Sequence, residues 1–581
     1  MKKLYVMLSM MLALSTAANA VPVQRGIKKV LTLADGTKVT AEMRGDEYLS
    51  WWEADNGQTF VEEGDTYKAV DLAPRLLAAQ ELRAQRNSER AARMARVKSA
   101  FNNGNGEMRA QMGGDHITYT GKKKGLIILV EFPDKKFKDS HDLEYYKNVA
   151  NTPGFKNSEG YVGSVRDYFY DQSNGQFELD FDVLGPVEAA KSYTYYGGNS
   201  PRTDYHIGEL IKEACDGVAD QVNFSDYDWD GDGTADQVFV LYAGLGEAAG
   251  GDKNTIWPHE SSMAYQGGAL TYPTGKVNTY ACSCELQRYL TADGYDTTDH
   301  AAGIGTICHE FSHCLGFPDF YDTNGQKLYG MGFWDLMATG SYLGNSFRPC
   351  NYTGFERIYA GWTEPIVLED PATVESMKST SDNGRPFIIY NDGNTNEAYI
   401  LDNRQKTGWD RSLYGNGLII THLDYNATYW AGNRVNYTGL DHQRCTIFHA
   451  DRSDLQTTLE ELQGDPYPFV KDNSVQNDEL TDDSYPAATL YNRNSDRTYY
   501  MGKPLTAITR NSDGTIAFQF MGGDADNVLD NSATATAIGS VNVGSKAQDS
   551  RIFSIDGRYL GTNLSKLGKG IYVVGSKKIV K

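Results

Sequence analysis

Cysteine is scarce: seven residues in 581, an odd number. That excludes a disulfide scaffold and leaves at least one thiol over; in an oxidising compartment Cys282, Cys284, Cys350 and Cys445 are the candidates for pairing. Positive charge is short as well, 55 Lys and Arg against 76 Asp and Glu, a net −21. Phosphate recognition needs clustered cations, so a nucleic-acid partner is excluded, while a secreted protein able to bind Ca²⁺ is not. Long apolar runs are missing after the first twenty residues, so nothing in the mature chain can span a membrane. The opening run, "MKKLYVMLSMMLALSTAANA", has two lysines, a short apolar stretch and small residues at its end. This is a secretory signal, cut after Ala20, and no cysteine follows the cut to carry a lipid.

What remains is too long for one hydrophobic core. Residues 21–120 read as a pro-segment and linker. "KKVLTLADGTKVTAEM" alternates apolar with polar around an Asp-Gly turn, "PRLLAAQELRAQRNSERAARMARVKSA" is helix-forming from Pro74 to Ala100, and "FNNGNGEMRAQMGGD" is a polar linker open to processing. Residues 121–365, beginning at "KKKGLIILVEFPD", mix strand and helix signals and read as an α/β (α+β) catalytic domain. Residues 366–521 carry strand-like runs divided by Gly, Asn and Asp, a β-sandwich-like domain. Residues 522–534 read as a second linker, and 535–581 as a small C-terminal β module.

The chemistry sits in "TICHEFSHCLGFPDFYD". On a helix, His309 and His313 project from one face, close enough to share a metal ion, with Glu310 beside them. In this spacing two imidazoles bind Zn²⁺ and the glutamate is general base toward a metal-activated water. A bare HExxH arises by chance in such a chain with a probability on the order of one per cent. Gly316 makes the pattern more specific: it can end the helix in a left-handed turn and return Asp319 as third ligand, with Asp322 as fallback. No Glu occurs between Glu310 and Glu356 to supply a different third ligand.

Downstream, "GFWDLMATGS" places Met337 in a turn-like sequence. HExxHxxGxxD followed by such a methionine resembles the metzincin metallopeptidases. Together, "HEFSHCLGFPDFYD", "GFWDLMATGS", "KKKGLIILVEFPD" and "GSVRDYFYDQSNGQF" resemble the immune inhibitor A, or M6, peptidases. The resemblance covers residues 121–365 and continues weakly through "ILDNRQKTGWDRSLYGNGLIITHLD". It implies a metzincin-like fold and a secreted zinc endopeptidase acting on extracellular proteins and made as a zymogen. His309, His313 and Asp319 would be ligands, Glu310 the base and Met337 the methionine turn. Cys308 and Cys314 depart from the family pattern.

A second metal signal is "DYDWDGDGTAD". Asp228, Asp230, Asp232 and Asp236 take the first, third, fifth and ninth places of an EF-hand-like loop around Gly233, pointing to structural Ca²⁺, although Phe239 stands where the closing glutamate belongs. His259 reads as structural, and His300, His422 and His449 lack metal spacing. Tyr342 is a weaker candidate for oxyanion stabilisation. With no cysteine before residue 121, latency cannot use a thiolate; Asp46, Glu47 or the backbone could serve. The segments "IFSIDGRYLG" and "LGKGIYVVGSKKIVK" resemble type IX secretion sorting domains, implying the secretion machinery as partner and release or attachment at the outer cell surface. Two other readings stay open: a non-catalytic surface binding protein or adhesin on a peptidase scaffold, and a zinc hydrolase of non-peptide substrates.

Overall fold

The structure is a computed structural model that describes residues 21–81, 119–199, 203–289, 296, 298–455 and 458–532 in full, and the backbone of residues 18–19, 290–291, 294–295 and four short strands beyond residue 551. It divides into two compact units, Met1–Ser532 and Ala533–Lys581. The second contains a four-stranded antiparallel sheet ordered Tyr559–Gly561, Ile552–Ser554, Ile571–Val574, Lys577–Val580.

In the first unit the first described element is a two-residue strand β1 (Ala18–Asn19), followed by an antiparallel meander of β2 (Lys28–Thr32), β3 (Lys38–Asp46), β4 (Leu49–Ala54), β5 (Thr59–Glu63) and β6 (Thr66–Ala69). The Asp35-Gly36 turn joins β2 to β3 as the alternation predicts, with Gly36 at φ 84°. Leu31, Ala41, Phe60 and Tyr67 form this sheet's small core. The predicted helix is present over residues 73–81; the rest of it, and the linker after it, lie outside the described residues.

Next comes a mixed sheet of β7 (Gly121–Glu131), β8 (Phe177–Glu188), β9 (Val238–Leu245), β10 (His259–Ser262) and β11 (Thr279–Gln287), in the order β1-β10-β11-β9-β7-β8. Strands β8, β7, β9 and β11 are parallel neighbours, whereas β10 runs antiparallel to β11 and β1 antiparallel to β10. Buried on both faces, β7 and β9 read as continuous apolar runs. Ile127, Leu129, Phe239 and Leu241 point to one face with helices α1 (Val165–Gln172) and α3 (Gly305–Cys314). Leu126, Ile128, Val238 and Val240 point to the other, with α2 (Ile207–Val218). Helix α4 (Gly354–Tyr359) closes this region, begun by a reciprocal cap between Thr353 and Glu356.

Beyond it lie two further sheets. One is ordered Ile366–Val367, Phe387–Tyr390, Glu397–Arg404, Gly417–Asp424, Cys445–Ile447; the other Leu505–Arg510, Ile516–Phe520, Ala372–Met377, Val528–Leu529. Phe387, Ile389, Leu401 and Ile420 of the first meet Val374, Ile516, Phe518 and Phe520 of the second. Alternate residues of the first, Ile388, Ile400 and Ile419, join the core that contains α3. Val528–Leu529 falls in the stretch read as a linker, yet it pairs with Thr373–Val374. What holds it is polar: wholly buried Asn531 accepts the Lys378 amide and donates to the carbonyls of Lys378 and Arg385. The expected disulfide candidates are also corrected. All seven cysteines are buried, each packed inside a core and none in a disulfide, and burial pushes the Cys284 thiol up to about 12.

Candidate metal centre

Every residue of α3 is buried. The helix can start so deep because Gly305 passes the Ser341 carbonyl, where a Cβ would stand 1.9 Å from the oxygen. His309 Nδ1 lies 2.8 Å from the Leu336 carbonyl and His313 Nδ1 2.8 Å from the Phe317 carbonyl. A carbonyl can only accept, so both Nδ1 atoms donate and both Nε2 atoms present lone pairs. Those Nε2 atoms are 3.2 Å apart. Gly316 ends the helix in the left-handed region at φ 97°, and Asp319 returns as the sequence predicts: its Oδ1 is 3.2 Å from His309 Nε2 and 3.3 Å from His313 Nε2. No donor hydrogen-bonds this oxygen, although the residue is 1 % exposed.

Three lone-pair atoms gathered without donors fit a cation. Bonds of 2.0–2.1 Å in tetrahedral array put neighbouring ligand atoms about 3.3–3.4 Å apart, the edge lengths seen here. Burial works against ionising Asp319, and it takes positive charge at the two imidazoles, or a cation between them, to hold the carboxyl well below the usual carboxylate range. Its other oxygen accepts from Asn433 Nδ2 at 2.6 Å, and its own N–H donates to Asn433 Oδ1 at 2.6 Å. The fallback, Asp322, is used elsewhere: it accepts amide protons from Asn324, Lys327 and Thr438 and shapes the loop.

Met337 is wholly buried one residue after Leu336, whose carbonyl orients His309; its own N–H donates to Asp335 Oδ1 and its carbonyl accepts from Phe320. Glu310, also wholly buried, accepts at Oε1 the main-chain N–H of Val21 at 2.8 Å. The chain around Val21 is held by further hydrogen bonds. Trp257 Nε1 donates to the Val21 carbonyl at 3.1 Å, Tyr342 OH to the Pro22 carbonyl at 2.7 Å, and Gln24 N–H to the Ala248 carbonyl at 3.1 Å. Tyr342 is thus engaged with the N-terminal segment. Asp46 and Glu47 are buried in the β3–β4 turn, where Asp46 accepts the Tyr48 amide; the group that reaches Glu310 is backbone.

Of the second predicted metal set, Asp228, Asp230 and Asp232 bring carboxylate oxygens within 4.8 Å of one another. Asp236 accepts the Trp229 amide instead, and Asp228 accepts amides of Gly231 and Gly233, closing the loop on itself. His259 is a buried structural residue between the Trp257 carbonyl and Tyr280 OH. His300 pairs with Asp296 and His422 with Glu397. His449 gathers with Asp451 and Asp465, a grouping that no sequence spacing announces. Trp257 and Asn433 were equally invisible, since their partners lie 236 and 114 residues away.

These features have relatives. Residues 115–363 match the profile described as the immune inhibitor A peptidase M6 catalytic domain. Pre-pro-metalloprotease PrtV of Vibrio cholerae is 27 % identical over 323 residues, covering 46 % of this chain and 34 % of PrtV. Immune inhibitor A of Bacillus thuringiensis subsp. alesti is 24 % identical over 295 residues, 43 % of this chain and 42 % of that protein. A putative secreted metallopeptidase of Arthroderma benhamiae is 25 % identical over 226 residues, 34 % of this chain and 32 % of its own. The chain thus spans less than half the length of the curated relatives it matches. Profile and relatives together support an immune inhibitor A-like M6 peptidase catalytic domain within residues 115–363.

Proposed function

We propose that this protein is a secreted zinc endopeptidase made as a latent precursor. The observation that carries the reading is the triangle of His309 Nε2, His313 Nε2 and Asp319 Oδ1, with Glu310 on the same helix. Zinc held there would supply a Lewis acid that lowers the pKa of water and polarises a carbonyl. Glu310 is then the general base that takes the proton of the attacking water and passes it to the departing amine. The N-terminal segment supports this assignment, because it shows how a peptide can lie in the cleft. It pairs antiparallel with β10 at Ala18 and Asn19 and delivers an amide nitrogen to 2.8 Å from Glu310, the atom that must receive a proton when a peptide bond breaks.

The same segment is the latency element of this reading. Val21 and Val23 pack with Ala248 and Trp257 in one apolar cluster, so the cleft is filled until residues 21–25 leave. Leader removal after Ala20 would turn the Val21 amide into an α-amino group facing the same carboxylate. In this proposal Asp228, Asp230 and Asp232 hold a structural Ca²⁺ that stiffens their loop, Met337 is the methionine turn, and the C-terminal module engages the secretion machinery that releases or displays the enzyme outside the cell. The test is casein digestion by the processed enzyme with and without a chelator, beside Glu310→Ala and a zinc determination. Cleavage that survives both perturbations refutes the reading. Zinc binding with no cleavage after removal of residues 21–118 favours the second one, a non-catalytic binding protein on the same scaffold.

A further inference from the structure

Behind the metal centre two acidic side chains meet with no cation to spare. Asp335 and Glu356 are both wholly buried. Asp335 Oδ1 accepts the Met337 amide at 2.6 Å, and Glu356 Oε2 accepts the Thr353 amide at 2.7 Å and its hydroxyl at 3.1 Å. The remaining oxygens, Asp335 Oδ2 and Glu356 Oε1, meet no donor from any other group, and the two side chains are in hydrogen-bond contact with each other. Two carboxylates cannot form such a contact; a carboxylic acid and a carboxylate can.

The cations around the pair are already engaged. The charge of Arg404 favours ionisation of both carboxyls, but its Nε and Nη2 are each 2.7 Å from the two oxygens of Asp410, and its Nη1 donates to the Trp334 carbonyl. Arg357, further out, faces Asp402 and donates to the Gly384 carbonyl and Asn174. The other titratable groups facing the pair are Asp319, Cys350, Cys445, Tyr168 and Tyr352, which add negative charge or none.

We infer that Asp335 and Glu356 share one proton, and that this acid–carboxylate bond clamps the Met337 turn to α4 and so positions His309. The connection is short: Asp335 is followed by Leu336, whose carbonyl fixes the His309 tautomer, and Glu356 sits in the first turn of α4. Both are positioning residues, acting through the turn. Burial pushes both groups up from the usual carboxylate range, and the Asp335 charge raises Glu356 further, so the clamp holds its proton at neutral pH and loses it as the solution becomes alkaline. The metal role of His309 rests on the proposed function; the shared proton does not.

Three measurements on the full chain test this. Infrared difference spectra at neutral pH should show a protonated-carboxyl C=O band that disappears in Glu356→Gln, whose amide donates to Asp335 Oδ2 without needing the proton. The same variant should flatten the alkaline fall of melting temperature with pH and shift the alkaline limb of activity upward. Glu356→Ala should lower zinc affinity 10–100-fold, the usual effect of losing an outer partner of a ligand, while Glu356→Gln stays within about threefold of the parent. The inference is overturned if no band is lost, if the pH profile of Glu356→Gln matches the parent, or if Gln damages zinc binding as much as Ala. Absence of zinc binding in every form would sink the peptidase reading and leave the infrared and melting results to decide the clamp.

Discussion

Asn433 lies 114 residues from Asp319 yet grips it at both ends, donating to Oδ2 and accepting from its N–H, each at 2.6 Å, in a site where Asn433 is 2 % exposed. Asn433→Ala strands a buried carboxylate oxygen and a buried amide. A charge-assisted bond contributes about 1.5–3 kcal/mol and an orphaned buried donor costs about 1–3 kcal/mol, so a loss of about 3 kcal/mol is a moderate total. The part that reaches the metal arises because Oδ1 is aimed only when Oδ2 is held. If most of the loss falls there, zinc affinity drops roughly a hundredfold, since about 1.4 kcal/mol is a factor of ten. Competition titration against a chromophoric chelator measures this directly, with melting curves of the metal-free and metal-loaded forms as control. A variant that melts lower but binds zinc within threefold of the parent refutes the reasoning, because Asn433 would then support the loop and not the ligand.

Gly305→Ala forces a methyl group onto the Ser341 carbonyl; overpacking by about 1–3 kcal/mol should lower the melting temperature by a few degrees, read by calorimetry, and weaken zinc binding with it. Glu247 is pushed up to about 8, chiefly by burial, against the hydrogen bonds from Asn199 and Ser50. Its folded pKa lies above the unfolded one, so its contribution is complete in acid and lost as pH rises through about 8. Denaturant titrations should show stability falling across that range by at most about 1.4 kcal/mol per pH unit, with Glu247→Gln removing the slope. With none of the seven cysteines in a disulfide, melting temperature should be the same with and without a thiol reductant; a drop on reduction would show a disulfide.

The legible part of the site was local. His309 and His313 follow from helical periodicity, and Asp319 from one glycine that has to enter the left-handed region, as Gly316 does. The strand pattern of β2 and β3 was legible for the same reason, a turn signal flanked by alternation. Partners brought from afar were not: Asn433, Trp257 and the segment at Val21 carry no periodic mark, and only folding brings them to the cleft. Cysteine pairing was not legible, because composition cannot tell a thiol packed as a small apolar side chain from one facing a partner. Val528–Leu529 was misread because its polar neighbours look like a tether, whereas buried Asn531 spends its amide on carbonyls of the sheet.

Four of the hydrogen bonds that hold residues 21–24 use main-chain atoms of that segment: the Val21 amide and carbonyl, the Pro22 carbonyl and the Gln24 amide. That part of the restraint does not depend on side-chain identity, and the apolar packing of Val21 and Val23 adds to it. A short peptidomimetic that reproduces the backbone while varying the substituents would be the natural starting point for an inhibitor supplied in trans.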